Sequence, residues 1–551
     1  MTTINALPTE ILVLVDRFLS SVNDRITCVE VCSKWSALFQ RSLFHYAQIN
    51  NRHQFKRFYL QLQHQGHLVN IVDIQQPFYH SSIVKDSELV ALCKLCPNLH
   101  TLHFNAWDKL FVYPQQIQQL TYALGSLNLI AISIFNPTTE LGTQILHNQH
   151  SLTELSLFID SHCNFSWLIG ISRIESLTLH IGHDSQVPLA PPQLEAIHRA
   201  CPKLRFLCVF GSSSSSSSSS SRPDIHHLEN ITDIVPAFNL KSLKLIHLIH
   251  PRQGIVKAWV RYICYRYPNL ETLEIENGHM DSDMQTDTTV KWETVVECCP
   301  HLNRISLFGF PLNMKFYKTL LQCTTLLERL KIYSPGYPVP LTSLLHKHQA
   351  TLTDLSFWPC HVLQTFDFRH SVNLTRLYLS GIYMKDEWLN VAMDILLENT
   401  RLHQLKLDHL SLSQPSKTMS KTRIAHVSFS HVTLSNTTLN DLLCACPRLT
   451  HLSLVNCHFL DFHVDLAMPH HQLEFVNLHQ PQVLQQQQTD THQKTKHIQI
   501  TQHGEKVQYY KTLKNRIHAN HCVQQEKSQF IYIRLHCFSV DQLYLLGSRI
   551  K

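Results

Sequence analysis

Along most of the chain, apolar and polar residues alternate in one short unit: a leucine, two residues, a second leucine, one residue, and a further apolar side chain. The unit reads LHTLHF from Leu99, LTELSL from Leu152, LRFLCV from Leu204, LETLEI from Leu270, LNRISL from Leu302, LERLKI from Leu327 and LTDLSF from Leu352. It recurs from Leu240, Leu374, Leu402 and Leu449, and weaker copies start at Leu68, Leu127, Ile174, Ile424 and Leu473. A period of two sends successive side chains to opposite faces, so each copy predicts a short strand with one apolar face. Neighbouring copies lie roughly 22 to 36 residues apart, and stretches between them, such as ELVALCKLCPN, place apolar residues at helical spacing. One strand and one helix cannot bury an apolar face alone, but stacked copies share one continuous core. The pattern therefore predicts an α/β solenoid. Leu102, Leu155, Leu207, Leu273, Leu330, Leu377 and Leu452, each the second leucine of its unit, should be buried in it.

Ahead of the repeats the spacing becomes helical. Leu7, Ile11, Leu12, Val15, Phe18 and Leu19 predict a short amphipathic helix behind Pro8, with Thr9 or Asn5 able to cap it. A second helix reads through Ile26, Cys28, Val29, Val31, Cys32, Trp35 and Leu38, with Asp24 near its start and Lys34 and Arg41 late, as the helix dipole prefers. Within the array, the unbroken run Ser212 to Ser221 predicts a flexible insertion on the rim or convex side. Beyond it, Gln485 to Gln488 lies in a polar stretch that reads as a linker. The segments IQIT, KVQYY and FIYIRL then alternate like strands around Gly504 and NRIHANH. They predict a sheet that covers the last repeat, whose apolar core would otherwise face water.

The string LPTEILVLVDRFLSSVNDRITCVEVCSKW resembles the F-box, whose pattern is Leu-Pro-x-Glu-Ile-Leu, then a leucine, then Val-Cys-x-x-Trp. It departs from that pattern at Arg25 beside Ile26, where a leucine pair is common. The resemblance implies a small helical module that binds a Skp-type adaptor and, through it, a cullin ubiquitin-ligase scaffold. It also implies that Leu7, Pro8, Ile11, Leu12, Val15 and Leu19 supply adaptor-facing anchors while Trp35 packs the helices together. The repeats fit the period of leucine-rich repeats. Cys96-Pro97, Cys201-Pro202, Cys299-Pro300 and Cys446-Pro447 precede several copies, with Tyr267-Pro268 once in their place. This is similar to the cysteine-containing subtype found in F-box proteins. The expected fold class is α/β: a leucine-rich-repeat solenoid, or horseshoe, with an N-terminal helical F-box and a C-terminal capping extension. Its expected boundaries are 1–47 for the F-box, 48–480 for the array with a Ser-rich insertion at 211–222, and 481–551 for linker and cap.

Composition narrows the function. At 551 residues and 44% hydrophobic, the chain can bury a large core. Its 47 Lys plus Arg against 41 Asp plus Glu, net +6, are too dilute to expect a nucleic-acid partner. The opening MTTINALPTE lacks a basic region followed by an apolar core, and no apolar stretch reaches the ~20 residues that span a bilayer. The expectation is a cytoplasmic or nuclear protein without a membrane partner. Seventeen cysteines are scattered along the length, which suits reduced thiols better than a disulfide framework. There are only 13 Gly, and no glycine-rich phosphate loop, HExxH pair or GxSxG elbow, so no catalytic residue, cofactor or metal site is assigned. The Cys-Pro cysteines sit in separate repeats and read as buried small hydrophobes, and the His518, His521 and Cys522 group stops short of a ligand set.

The residues between the buried leucines point out from their strands onto the inner surface of the array. In the middle repeats they are Arg304, Arg329, Lys331, Tyr333, Trp358, Arg376, Tyr378 and Lys406, with Asp354 and Asp408 interrupting and Glu274 and Glu276 ahead of them. Arginine and exposed aromatics are enriched at binding hot spots, so these eight form the expected substrate-binding set. The expected partner is a protein presenting an acidic or phosphorylated segment. The expected function is a non-catalytic substrate-recognition subunit of a Skp-cullin-F-box ubiquitin ligase. An F-box scaffold or a repeat-type regulator without a ubiquitination role stays open, because the same features serve both.

Overall fold

The computed structural model describes residues 8–19, 22–74, 83–104, 114–135, 150–159, 172–181, 191–211, 235–247, 255–277, 290–310, 312–333, 341–358, 371–381, 389–392, 396, 401–414, 421–461, 463–479, 482–483, 496–502, 505–513, 516–520, 531–545 and 548–549. Leu7, the run Ser212 to Ser221, Gln485 to Gln488, His521 and Cys522 lie outside them. The chain divides into two compact units, Met1–Leu270 and Glu271–Lys551.

The first unit opens with three helices, α1 (Thr9–Phe18), α2 (Val22–Val29) and α3 (Ser33–His45). The single helix expected from Ile26 to Leu38 is thus two. The Glu30 and Val31 N–H groups close α2 on the Thr27 and Cys28 carbonyls, and Cys32 is extended at φ −166°, which redirects the chain. The redirection brings Trp35 and Phe39 of α3 onto Leu12 of α1, and these three form a buried core ringed by Val15, Leu19, Cys28, Val29, Cys32 and Leu38. Arg25 ties α2 to α1 through Asp16, Nε to Oδ1 at 3.1 Å.

Strand β1 (Tyr46–Ile49) follows α3 directly and pairs in parallel with β2 (Ile71–Ile74). The ladder continues through β3 (Thr101–Phe104), β4 (Ala131–Phe135), β5 (Glu154–Ile159), β6 (Ser176–Ile181), β7 (Phe206–Phe210) and β8 (Ser242–Ile246), every pair parallel. Helices such as Arg52–Gln65, Asp86–Leu95 and Pro191–Ala200 fill the connections, as parallel pairing demands.

The second unit repeats the scheme with β9 (Thr272–Glu276), β10 (Arg304–Phe308), β11 (Arg329–Tyr333), β12 (Asp354–Trp358) and β13 (Arg376–Ser380). After β14 (Leu389–Ala392), strands β15 (Gln404–Asp408), β17 (His426–Ser430) and β19 (His451–Val455) extend the main ladder. The short β16 (Leu410–Ser413), β18 (Thr433–Leu434), β20 (His458–Phe459) and β22 (Gln482–Val483) join β14 in a second parallel ladder. The long β21 (His463–His479) pairs with β19 at its end. It also runs parallel to β26 (Ile531–Leu545), whose other neighbours are β23 (Lys496–Gln502) and β27 (Ser548–Arg549). Strands β24 (Glu505–Leu513) and β25 (Arg516–Asn520) complete an antiparallel meander from β23. The segments IQIT and KVQYY fall in β23 and β24, and FIYIRL from Ile531 onward falls in β26, so further strands follow the last repeat strand.

The fold is α/β, a leucine-rich-repeat solenoid with one parallel strand per repeat, and its core sits where the alternation put it. Leu102, Leu155, Leu207, Leu273, Leu330, Leu377 and Leu452 are all at most 2% exposed. Cys96, Cys201, Cys299 and Cys446 are buried with them, and burial pushes the first three thiols up to about 12 and the last to about 11. An asparagine just before the first leucine of several units ties one repeat to the last. The amides of Asn98, Asn239 and Asn269 donate to the carbonyls of His67, Pro202 and Phe238 at 2.6, 2.9 and 3.1 Å. Among the described residues no helix is long and apolar enough to cross a membrane.

Candidate functional site

The in-register ladder from β10 to β15 fixes which outward side chains become neighbours. Arg304, Arg329, Asp354, Arg376 and Gln404 occupy one row across it. Asp354 lies between two arginines and is 3% exposed. Its Oδ2 is reached by Arg329 Nε at 3.2 Å, Arg376 Nη2 at 3.1 Å and Lys331 Nζ at 3.5 Å. The residue that interrupted the basic set in the sequence is therefore its anchor. Among the described residues this one carboxylate meets three cations, on side chains that are 31 to 46% exposed. Arg304 does not join them: its Nε and Nη2 bond Glu328 Oε2 at 3.0 and 2.9 Å, which neutralises it.

An aromatic ladder runs beside the cations. Phe308 and Tyr333 have ring centroids 4.7 Å apart, Tyr333 and Tyr378 5.8 Å, and Lys406 Nζ sits 4.6 Å over the Tyr378 ring. Such a contact steadies the ammonium without consuming its charge. Burial, reinforced by Asp408, pushes the Tyr378 hydroxyl up to about 12. Burial likewise raises Tyr333, so both stay neutral at ordinary pH. Trp358 is half-buried at the end of β12. Phe308 and Glu328 were missed by the sequence reading; Phe308 is the last outward residue of its strand, one position past the LNRISL unit.

Farther along the same face, Asp408 meets two histidines. His409 Nδ1 and His431 Nδ1 stand 2.9 and 3.3 Å from its Oδ1, and Ser380 Oγ donates to its Oδ2 at 3.3 Å. Burial opposes ionisation of Asp408, but the contacts with His409 and His431 outweigh it and hold the carboxyl below its usual value. Neither histidine stood out in the sequence, because each lies one residue past an outward strand end. Nearby strand positions carry His426 and His451, with rings 4.3 Å apart.

In the first unit the outward row of β5, β6 and β7 stacks Phe158, His180 and Phe210, with centroids 4.1 and 4.6 Å apart and rings within 5° of parallel. On the helical module, Pro8 and Ile11 are exposed, Val15 and Leu19 half-buried, and Trp35 buried. Leu12 is fully buried, which corrects its assignment as an adaptor-facing anchor: it belongs to the module's own core. The exposed apolar surface is made instead by Ile11, Val13, Leu14, Phe18, Ile26 and Val31, with Phe18 85% exposed.

No protein-family profile matches the chain, and no curated protein matches it. Among solved structures it is similar to that of a TLR13-ssRNA13 complex, at 14% identity and TM-score 0.35 over 81% of this chain, which spans 62% of that one. It is also similar to an internalin, InlF, from Listeria monocytogenes, at 13% identity and TM-score 0.27, covering 72% of this chain and 91% of that one. The repeat assignment rests on this chain's own strand register and leucine burial.

Proposed function

We propose that the chain is the non-catalytic substrate-recognition subunit of a Skp-cullin-F-box ubiquitin ligase. The observation that carries this reading is the coincidence, on one helical module, of the Leu-Pro-x-Glu-Ile-Leu and Val-Cys-x-x-Trp pattern with an apolar surface. Ile11, Leu14 and Phe18 share α1, and Ile26 and Val31 lie on and just after α2, all exposed around a core that closes without them. Exposed apolar groups clustered on one small module mark an interaction surface. The repeat face would hold an acidic or phosphorylated segment of a protein, because Arg329, Lys331 and Arg376 outnumber the one carboxylate that they share among the described residues, and arginine clamps such anions bidentately. The receptor's contribution is effective concentration: it holds an acceptor lysine near a ubiquitin-charged enzyme and supplies no reacting group.

The test is capture of a Skp-type adaptor and cullin by the full chain, compared with the double variant Ile11→Asp and Phe18→Asp. The wild type should retain both partners, and the variant, with an unchanged circular dichroism spectrum, should lose them. Equal capture by a folded variant overturns the docking surface; no capture by the wild type overturns the ligase role.

A further inference from the structure

In the second unit, several strands end in a turn whose backbone has positive φ. Gly309 (φ 80°) and Asn456 (φ 51°) suit that conformation, but His409 (φ 50°) and His431 (φ 52°) hold it with bulky rings. Positive φ is uncommon for a residue other than glycine, although asparagine and histidine adopt it more often than most, and His247 of the first unit (φ 55°) holds it too. The turn itself requires only a backbone N–H. His409 donates to the Ser430 carbonyl at 3.0 Å, His431 to Val455 at 2.9 Å and Asn456 to His479 at 2.7 Å. The imidazoles are surplus to that bond, yet both project from equivalent positions of adjacent repeats and stack at 4.3 Å and 17°.

We propose that Asp408, His409 and His431 form a binding site for a zinc-class divalent ion. One donor atom from each of the three side chains lies within 4.8 Å of the other two, and the Nδ1 to Oδ1 distances are 2.9 and 3.3 Å. A tetrahedral zinc ion, with bonds of about 2.0 to 2.1 Å, holds its ligands roughly 3.4 Å apart, near both Nδ1–Oδ1 distances, and binding would turn the two rings out of their stack to aim both lone pairs at one ion. Two imidazoles and one carboxylate suit zinc, cobalt or nickel; calcium and magnesium prefer all-oxygen sites. The three side chains are 19 to 36% exposed, which leaves a fourth position for water or for a side chain of a bound protein.

Asn456 can hold His431 in the tautomer that a metal ligand needs. Its Nδ2 lies 3.1 Å from His431 Nε2, while its Oδ1 is buried without a partner. The two ends of the amide have nearly the same shape, so exchanging them costs no space. Exchanged, Oδ1 accepts the His431 Nε2–H, Nδ2 takes the position without a partner, and the Nδ1 lone pair is turned to the Asp408 side, as a metal ligand requires. An outer partner fixing the far nitrogen is how metal-bound histidines are oriented. Ser430 Oγ, 3.1 Å from the same Nδ1, can support either state.

The test uses the full chain stripped with chelator and dialysed against Co2+ or Zn2+. The double variant His409→Asn and His431→Asn is the informative one, because Asn456 already holds the same turn in the next repeat and the backbone should be undisturbed. The wild type should hold one equivalent more than this variant, with the visible bands of tetrahedral Co2+, and the variant should bind more than about tenfold more weakly. With 39 His in the chain, His426→Asn and His451→Asn serve as the control and should keep that equivalent. Equal stoichiometry and affinity in wild type and double variant, or an equal rise in Tm on adding Zn2+, overturns the site. Should the double variant fail to fold, Asp408→Asn is judged by the same two readings.

Discussion

Asp354 shows what a single residue can hide in a sequence. The alternation of the LTDLSF unit placed it on the outward face, and that was correct; nothing local indicated that it would be 3% exposed beneath Arg329, Lys331 and Arg376. Those partners come from two neighbouring repeats, so the pairing depends on strand register, which a sequence motif does not state. Removing all three cations by Arg329→Ser, Lys331→Ser and Arg376→Ser should leave a buried carboxylate unpaired and destabilise the fold by about 3 to 5 kcal/mol. Adding Asp354→Asn should recover most of the loss, and urea denaturation of the two variants checks this. His180 gives a second prediction. Burial between Phe158 and Phe210 lowers its pKa from 6.5 to about 4. Between these values the unfolded chain takes up a proton that the folded chain does not. Its contribution is therefore complete above pH 6.5, declines as pH falls, and changes no further below about 4. Replacing it with Phe keeps the stack and should flatten that part of the stability profile, by on the order of 1 kcal/mol after allowance for its partial exposure.

At the scale of elements, helix α1 separates two roles that its apolar spacing ran together. Leu12 and Ile11 are adjacent and both apolar, yet Leu12 closes the core with Trp35 and Phe39 while Ile11 faces solvent. The sequence could not divide them because the break at Cys32, which sends α3 back over α1, is masked by the continuous apolar pattern from Ile26 to Leu38. Leu12→Ala should therefore cost about 2 to 5 kcal/mol, like other buried leucines, and lower adaptor capture only as far as it unfolds the module. Phe18→Asp should leave thermal stability nearly unchanged and reduce capture directly; the two effects are read by melting curves and pull-down on the same preparations. The repeat strands were far more legible. Their burial depends on spacing within each unit, as Leu330 and Leu377 show, whereas His409 and His431 acquire their geometry from a left-handed turn that alternation does not reveal.

For the whole molecule, a net charge of +6 over 551 residues says little about partners, since attraction is set by where charges are left unbalanced. Arg304 is paired with Glu328, and Asp408 meets its histidines, but among the described residues the three cations at Asp354 share one carboxylate, a surplus of two. Asp354→Asn should raise that surplus to three without removing a single donor, so capture of an acidic or phosphorylated peptide should strengthen or hold. The quadruple variant, with Ser at positions 329, 331 and 376 as well, should lose capture while its fold survives, because no carboxylate is left buried and unpaired. Both proteins should bind adaptor equally, since the helical module is untouched. As salt shortens the Debye length from about 10 Å at 0.1 M to about 3 Å at 1 M, capture by the wild type should weaken steeply, whereas residual binding by the quadruple variant should not. Fluorescence anisotropy of one labelled phosphoserine peptide across that salt range separates the outcomes. Equal affinity and equal salt slope in the wild type and the quadruple variant would remove the anion clamp from the binding face and leave the aromatic ladder of Phe308, Tyr333 and Tyr378 as its contact surface.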